Sequence, residues 1–252
     1  MPLDIDRIRA LRPQNELHYW PTLPSTMIEA TRLATGGAPH GTVVLTDEQT
    51  AGIGRLGRTW ISQAELGIYC SVLLRLALPA ASTPIASLVL GLAAADAIQK
   101  STQLACDLRW PNDVLIGEKK TAGILPHLVD GCIVAGIGMN VNQERFEANL
   151  RTPATSLRIE SNGQLQSREQ LIVQLLESLG VFCNMLAKDG KESVLRAFAA
   201  ASSYVTNRRV TVEETGWRGT TAGLDENGFL LMREDSGQMQ RIASGGVRPD
   251  YA

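Results

Sequence analysis

The sequence is short of the residues that usually announce a site: 252 residues hold 4 cysteines and 3 histidines. Cys70, Cys106, Cys132 and Cys183 lie far apart and never form a C-x-x-C pair, and His18, His40 and His127 are equally dispersed. Neither a zinc cage nor a disulfide framework is indicated. No long apolar run is present either. The longest, 85–95, is about eleven residues against the ~20 needed to cross a bilayer, and it contains Ser87 and Gly91. The first residues, MPLDIDRIRALRPQ, alternate in charge and lack the apolar core of a signal peptide, so a cytoplasmic protein with reduced thiols and no membrane association is expected. Nor does one sign of charge dominate. With 24 Lys and Arg against 26 Asp and Glu, the net charge is −2, so any anion binding must come from a local cluster. What is present, 44% apolar and 20% charged residues, excludes a disordered tail, a coiled coil or a collagen-like fibre and suits one large domain or a large one with a small companion.

Hydrophobic spacing and turn residues divide the chain. Thr26 and Glu29 form a T-x-x-E pattern that predicts a capping box before a helix ending at Gly36 and Gly37. A short strand over 42–46 leads into the loop 47–59, and the β-branched run 68–76 predicts a buried strand. Ile85, Leu88, Val89 and Leu92 recur at helical spacing, which predicts a core helix over 83–100. Between 105 and 136 short β-like segments separated by turns predict an antiparallel meander. Ser167 and Gln170 form a second capping box, opening a helix to about 187. Beyond Asn207 four or five strands of about five residues, with turns at 225–228 and 235–237, predict a small β-barrel. The expected division is therefore 1–205 and 206–252.

The densest chemistry is GIGRLGRT at 52–59, with three glycines and two arginines in eight residues. Glycines allow close backbone approach and arginine binds phosphate bidentately, so the loop suits a phosphate ligand. It also matches G-x-G-x-x-G and, with Arg58 in place of lysine, the P-loop pattern. Both need a following helix, and here TWISQ leads to a strand instead.

Three further motifs follow in order: RWPND at 109–113, KTAGIL at 120–125 and GIGMNVN at 136–142. With these the sequence resembles the biotin protein ligases, whose G-R-G-R-x-G-R-x-W, K-W-P-N-D, K-x-x-G-I-L and G-I-G-x-N-V-N are similar to 52–60, 109–113, 120–125 and 136–142. Ser25 and Thr26 resemble the family's S-T-N, 154–157 another signature, and Gly245-Gly-Val247 its closing G-[DE]-V. Three departures stand out. Ile53 occupies the place of the first loop arginine, Met27 that of the asparagine in S-T-N, and Arg109 that of the lysine in K-W-P-N-D.

The resemblance implies an α/β (α+β) catalytic domain with a class II aminoacyl-tRNA synthetase-like mixed or antiparallel sheet, followed by an SH3-like barrel. It implies ligation of biotin to a lysine of a biotin carboxyl carrier protein through biotinyl-5′-AMP, using ATP and Mg²⁺, the ion arriving with ATP and not in a fixed protein site. Biotin is expected against Ser25, Thr26, Gln49, Gly52, Gly54, Arg55, Lys120 and Gly123. ATP and the adenylate are expected against Arg55, Arg58, Trp60, Asn112 and Asn140. Lys120, Arg55 and Asp113 are the expected catalytic residues. The first two screen the charge of a carboxylate attacking an α-phosphate, and Asp113 orients the acceptor amine or takes its proton. By local sequence alone, Lys120 is a lysine of a polar turn, Ser25 and Thr26 are helix caps, and Asn112 and Asp113 form an Asx turn. About 24 residues precede Ser25, too few for the DNA-binding helices of the family's regulatory members, so an enzyme-only monomer or homodimer without DNA binding is expected. Two rivals are a lipoate or octanoyl ligase and a sensor that has lost turnover; pyrophosphate release with biotin and with lipoate separates them.

Overall fold

The computed structural model describes residues 1–76, 83–148, 150 and 152–250. Seven strands form one sheet in the order β1-β2-β3-β7-β6-β5-β4. These are β1 (Leu17–Leu23), β2 (Val43–Gln49), β3 (Gly67–Leu74), β4 (Asp107–Arg109), β5 (Asp113–Ile116), β6 (Lys119–Val129) and β7 (Cys132–Asn140). Only β1 and β2 run parallel; the remaining pairs are antiparallel, and β4 to β7 are the meander expected from the sequence.

Both faces of the sheet are covered, which is why β3 is buried along its whole length. Alternation sorts its side chains. Ile68, Cys70, Val72 and Leu74 join the large core, with Ile133, Ala135 and Ile137 beside them on β7. Leu73 and Val134 point the other way, onto Met27, Ala30 and Ala34 of helix α2 (Thr26–Thr35). The large core also takes α3 (Thr83–Thr102) and α5 (Arg168–Asp189). α3 is apolar on nearly every side because it packs on the sheet, on α5 and on α6 (Lys191–Ala200). The apolar stretch of α5 is long enough to cross a membrane by length and composition, but its inner face, Leu171, Leu175 and Leu179, packs in the core.

Several local expectations change. Ser25, not Thr26, caps α2, its hydroxyl accepting from the Met27 N–H at 3.3 Å, because Thr26 is drawn into the site described below. Ser167 caps α5 and accepts from the Gln170 N–H, as its motif predicts. Lys120 belongs to β6 and not to a turn. The sequence reading passed over α1 (Ile5–Leu11), α4 (Leu157–Glu160), α6 and β1. β1 contains Pro21 and is an edge strand with a mostly half-exposed pattern, so it carries little alternation to read. A buried ion pair ties these parts together. Arg168 Nη1 lies 2.6 Å from Asp47 Oδ1, with the two side chains 4% and 6% exposed. Asp47 also accepts from the Leu3 N–H and the Tyr19 hydroxyl. Burial, followed by the Asp47 carboxylate, pushes the Tyr19 phenol up to about 12, so it stays a donor.

From Thr206 onward the chain forms a second, antiparallel sheet in the order β11-β10-β9-β8-β12. Its strands are β8 (Thr206–Val212), β9 (Arg218–Leu224), β10 (Leu230–Glu234), β11 (Met239–Ile242) and β12 (Val247–Pro249). Its inner residues, among them Val210, Leu230 and Met232, continue the large core of the first sheet. Trp110 Nε1 donates to Gly228 O across the junction at 2.9 Å.

Candidate functional site

The loop after β2 is pinned into a small turn. Ile53 pairs with Thr59, the Gly54 N–H donates to Arg58 O at 2.7 Å, and the Trp60 N–H donates to Gly52 O at 2.9 Å. Leu56 and Gly57 at its tip have φ of 56° and 71°, the left-handed region. A Cβ at Gly52 would overlap Trp60 O, so glycine is required there. The element that follows the loop is strand β3 and not a helix, which removes the P-loop and dinucleotide readings on structural grounds as well.

The closed loop drops the Trp60 indole onto two glycines of the sheet. Gly123 of β6 and Gly138 of β7 are cross-strand partners. A Cβ at Gly123 would lie 2.8 Å from the ring, and one at Gly138 would overlap it. The glycines of two sequence motifs thus make a flat bed for the tryptophan of a third. Lys120 Nζ sits 5.4 Å from the Trp60 ring centroid, a cation–π distance.

The cations are held in place. Lys120 Nζ lies 2.6 Å from Asp113 Oδ1, and Arg109 Nη2 lies 2.5 Å from Asp113 Oδ2. Burial pushes the Asp113 carboxyl up, but Lys120 and Arg109 outweigh it and hold the group below the usual carboxylate range. Arg55 Nη1 donates to Asn112 Oδ1 at 3.0 Å and to Gly245 O at 3.1 Å. Asn112 in turn donates to Ile124 O, so it positions Arg55. Burial draws the Arg55 pKa down, while Asp113 and Glu214 oppose the shift. Arg58 is partly exposed and pairs with Glu213 at 3.0 Å and Glu214 at 3.8 Å, both from the second sheet.

Two cavities meet here. The inner one is lined by Thr26, Met27, Gln49, Ile53, Arg55 and Lys120, among others. Its polar wall is a chain of hydrogen bonds: Ser71 Oγ donates to Thr26 Oγ1 at 2.9 Å, Thr26 donates to Gln49 Oε1 through both N–H and Oγ1, and Gln49 Nε2 donates to Ser62 Oγ at 2.9 Å. The outer cleft, about 450 Å³, is lined by Arg58, Trp60, Lys120, Asn140, Gln143 and Arg248, among others. Trp60 and Lys120 are walls of both.

Of the residues singled out in the sequence, Thr26, Gln49, Gly54, Arg55, Trp60, Asn112, Lys120 and Gly123 line the inner cavity, and Arg58 and Asn140 line the outer cleft. Asn140 is buried, and its amide donates to Thr155 O at 3.1 Å. Asp113 stands behind Lys120, on a third hollow next to Arg55 and Glu214. Ser25 is spent on capping α2, and Gly52 on loop closure. The sequence reading missed Ser62, Ser71, Glu213 and Arg248. Two of these are isolated serines, and two come from the second sheet, where no motif marks them.

Residues 20–144 match the biotin/lipoate A/B protein ligase family, and residues 205–247 match the biotin protein ligase C-terminal domain. The bifunctional ligase/repressor BirA of Bacillus subtilis is 34% identical, over 92% of this chain and 73% of its own. The biotin–[acetyl-CoA-carboxylase] ligase of Mycobacterium tuberculosis is 32% identical, over 85% of this chain and 81% of its own. Among solved structures, the biotin protein ligase from Aquifex aeolicus in complex with biotin and ATP superposes with a TM-score of 0.81 at 30% identity, covering 93% of this chain and 99% of that one.

Proposed function

We propose a reaction from one premise, that the chain belongs to the biotin protein ligase family. The protein joins biotin to a lysine of a biotin carboxyl carrier protein, with ATP as co-substrate. In the first step a carboxylate oxygen of biotin bonds to the α-phosphorus of ATP, the bond from that phosphorus to the β-phosphate breaks, and pyrophosphate leaves biotinyl-5′-AMP behind. In the second the neutral amine of the acceptor lysine bonds to the acyl carbon, AMP departs with the electron pair, and the amine proton passes to solvent.

The observation that carries this reading is the shared wall of Trp60 and Lys120 between an inner cavity and an outer cleft. The inner cavity offers an uncharged ring the Thr26–Gln49 relay. The outer cleft, with Arg58 and the Trp60 face, takes the nucleotide. Carboxylate and α-phosphate then meet beside Lys120 and Arg55, whose charges offset the repulsion between two anions. Among the described residues no three His, Cys, Asp or Glu side chains converge to cage a metal. Mg²⁺ fits as an ion carried by the phosphates of ATP, where it would neutralise the leaving pyrophosphate.

Asp113 fits a different role from the one expected of it. A carboxylate paired with two cations and held below its usual range is a poor proton acceptor at neutral pH, whereas it is well suited to fixing Lys120.

Pyrophosphate exchange tests the proposal. Exchange should depend on biotin and not on lipoate, and a biotin carboxyl carrier domain should become labelled. Exchange supported by lipoate alone would favour the acyl-ligase rival, and biotin binding without exchange would favour a sensor.

A further inference from the structure

Lys120 sits where strand β6 loses one of its neighbours. The pairing of β6 with β7 begins at Ala122 and Met139, so on that edge Lys120 lies past the end of the ladder, just after the turn at 117–118. The end of a strand opens more readily than its centre because fewer hydrogen bonds hold it. Yet the Lys120 ammonium has to stay beside Asp113, on the wall that the two cavities share.

Residues 153–155 supply the missing neighbour. Ala154 forms a parallel bridge with Lys120, whose N–H donates to Pro153 O at 2.7 Å and whose carbonyl accepts from the Thr155 N–H at 2.9 Å. This segment belongs to no strand and is held by side chains. The Asn140 amide donates to Thr155 O, and the Glu160 carboxylate, at the end of α4, binds the segment to β6. One Glu160 oxygen accepts both the Thr155 hydroxyl and the Lys119 ammonium, each at 2.5 Å. Burial pushes the Glu160 carboxyl up, but its hydrogen bonds to Lys119 and Thr155 outweigh this and hold it below the usual carboxylate range. Both bonds are therefore charge-assisted, the stronger kind.

We infer that Glu160 is a positioning residue for Lys120: its carboxylate clasps Lys119 to Thr155 and so fixes the stretch of backbone that presents the Lys120 ammonium to the reacting carboxylate and phosphate. Glu160 lines neither cavity, so it acts through Lys120 and not on the substrates. The inference rests on the ligase reading above and extends it to a residue outside the motifs.

The test is a double-mutant cycle read as single-turnover formation of biotinyl-AMP, using the wild type, Glu160→Ala, Lys120→Ala and the double variant. A misplacement of about 1 Å can cost about 10²-fold, so Glu160→Ala should slow the step about tenfold or more while the KM for biotin stays within about threefold. In the Lys120→Ala background the same change should cost less than about twofold, because the group it positions is gone. A merely structural residue would slow both backgrounds alike. Glu160→Gln keeps a side-chain oxygen for both donors and should restore most of the rate. Thr155→Val removes the hydroxyl with little change in volume, should slow the step with the same dependence on Lys120, and carries the cycle if Glu160→Ala does not fold. Wild-type rates in Glu160→Ala and Thr155→Val, or equal slowing with and without Lys120, would overturn the assignment. If the wild type forms no biotinyl-AMP, the ligase reading fails and this inference with it; a wild type slowed by Lys120→Ala but not by Glu160→Ala sinks this inference alone.

Discussion

Replacing Lys120 with alanine separates a catalytic cation from a surface lysine. The ammonium lies 2.6 Å from Asp113 Oδ1 and is 24% exposed, so its removal affects both chemistry and stability. Stripping one partner from a buried pair costs about 3–5 kcal/mol when the other charge is left alone. Here Asp113 keeps Arg109 at 2.5 Å, so the loss should be nearer ~1–2 kcal/mol, or a fall in Tm of about 2–8 °C for a chain of this size. At 25 °C the variant stays folded. The chemical loss should be larger: one preorganised donor at a developing charge contributes about 10²–10³ in rate. Single-turnover formation of biotinyl-AMP at saturating substrates should therefore slow at least ~10²-fold, and Lys120→Arg should recover part of it. A variant that forms the adenylate at a rate within about tenfold of wild type would show that Lys120 only anchors Asp113, and the argument from the shared wall of the two cavities would fall with it.

Gly138→Ala should place a methyl group in the Trp60 ring and displace the indole from its bed, cutting adenylate formation by about tenfold or more; unchanged activity would mean the indole has room to slide. Arg168→Met leaves Asp47, 6% exposed, without its cation and should lower unfolding stability by about 3–5 kcal/mol in a urea titration, with activity of the folded fraction retained. The folded-state pKa of Asp113 is held below its unfolded value of about 3.9, so its contribution to stability is complete above that value and is lost as pH falls through the lower, folded one. The difference in Tm between wild type and Asp113→Asn should thus be flat from about pH 8 to 5 and shrink below about pH 4, and a difference that instead changed near pH 7 would assign it to another group.

What could be read from the sequence was whatever a local pattern encodes. The buried strand expected over 68–76 and found at Gly67–Leu74, the core helix α3 and the meander declare themselves by periodicity and turn residues, and four motifs in order name the family before any geometry is known. The errors arose where a distant partner decides a residue's role. Thr26 scores as a helix cap by its spacing to Glu29, yet Gln49 and Ser71, 23 and 45 residues away, claim its hydroxyl, and Ser25 caps instead. Lys120 follows a turn sequence, but it already pairs with Leu115 inside β6, and its ammonium reaches Asp113 two residues further back on β5.

The same logic explains why the second sheet could be foreseen as a fold and not as part of the site. Its strands alternate legibly, but the contacts that matter join residues more than a hundred positions apart: Arg58 to Glu213, Arg55 to Gly245 and Trp110 to Gly228. Each fixes a motif residue of the first sheet to the backbone or a carboxylate of the second. The tip of the glycine-arginine loop turns through a left-handed Leu56–Gly57 pair and is closed by backbone hydrogen bonds from the Gly54 N–H to Arg58 O and from the Arg58 N–H to Arg55 O. Such a turn fixes the loop backbone but not the ends of its long side chains, and for Arg55 and Arg58 those ends are anchored on Gly245 and Glu213, among others. If the reaction runs as proposed, the second sheet is a wall of its site, holding the loop cations in place ahead of the nucleotide.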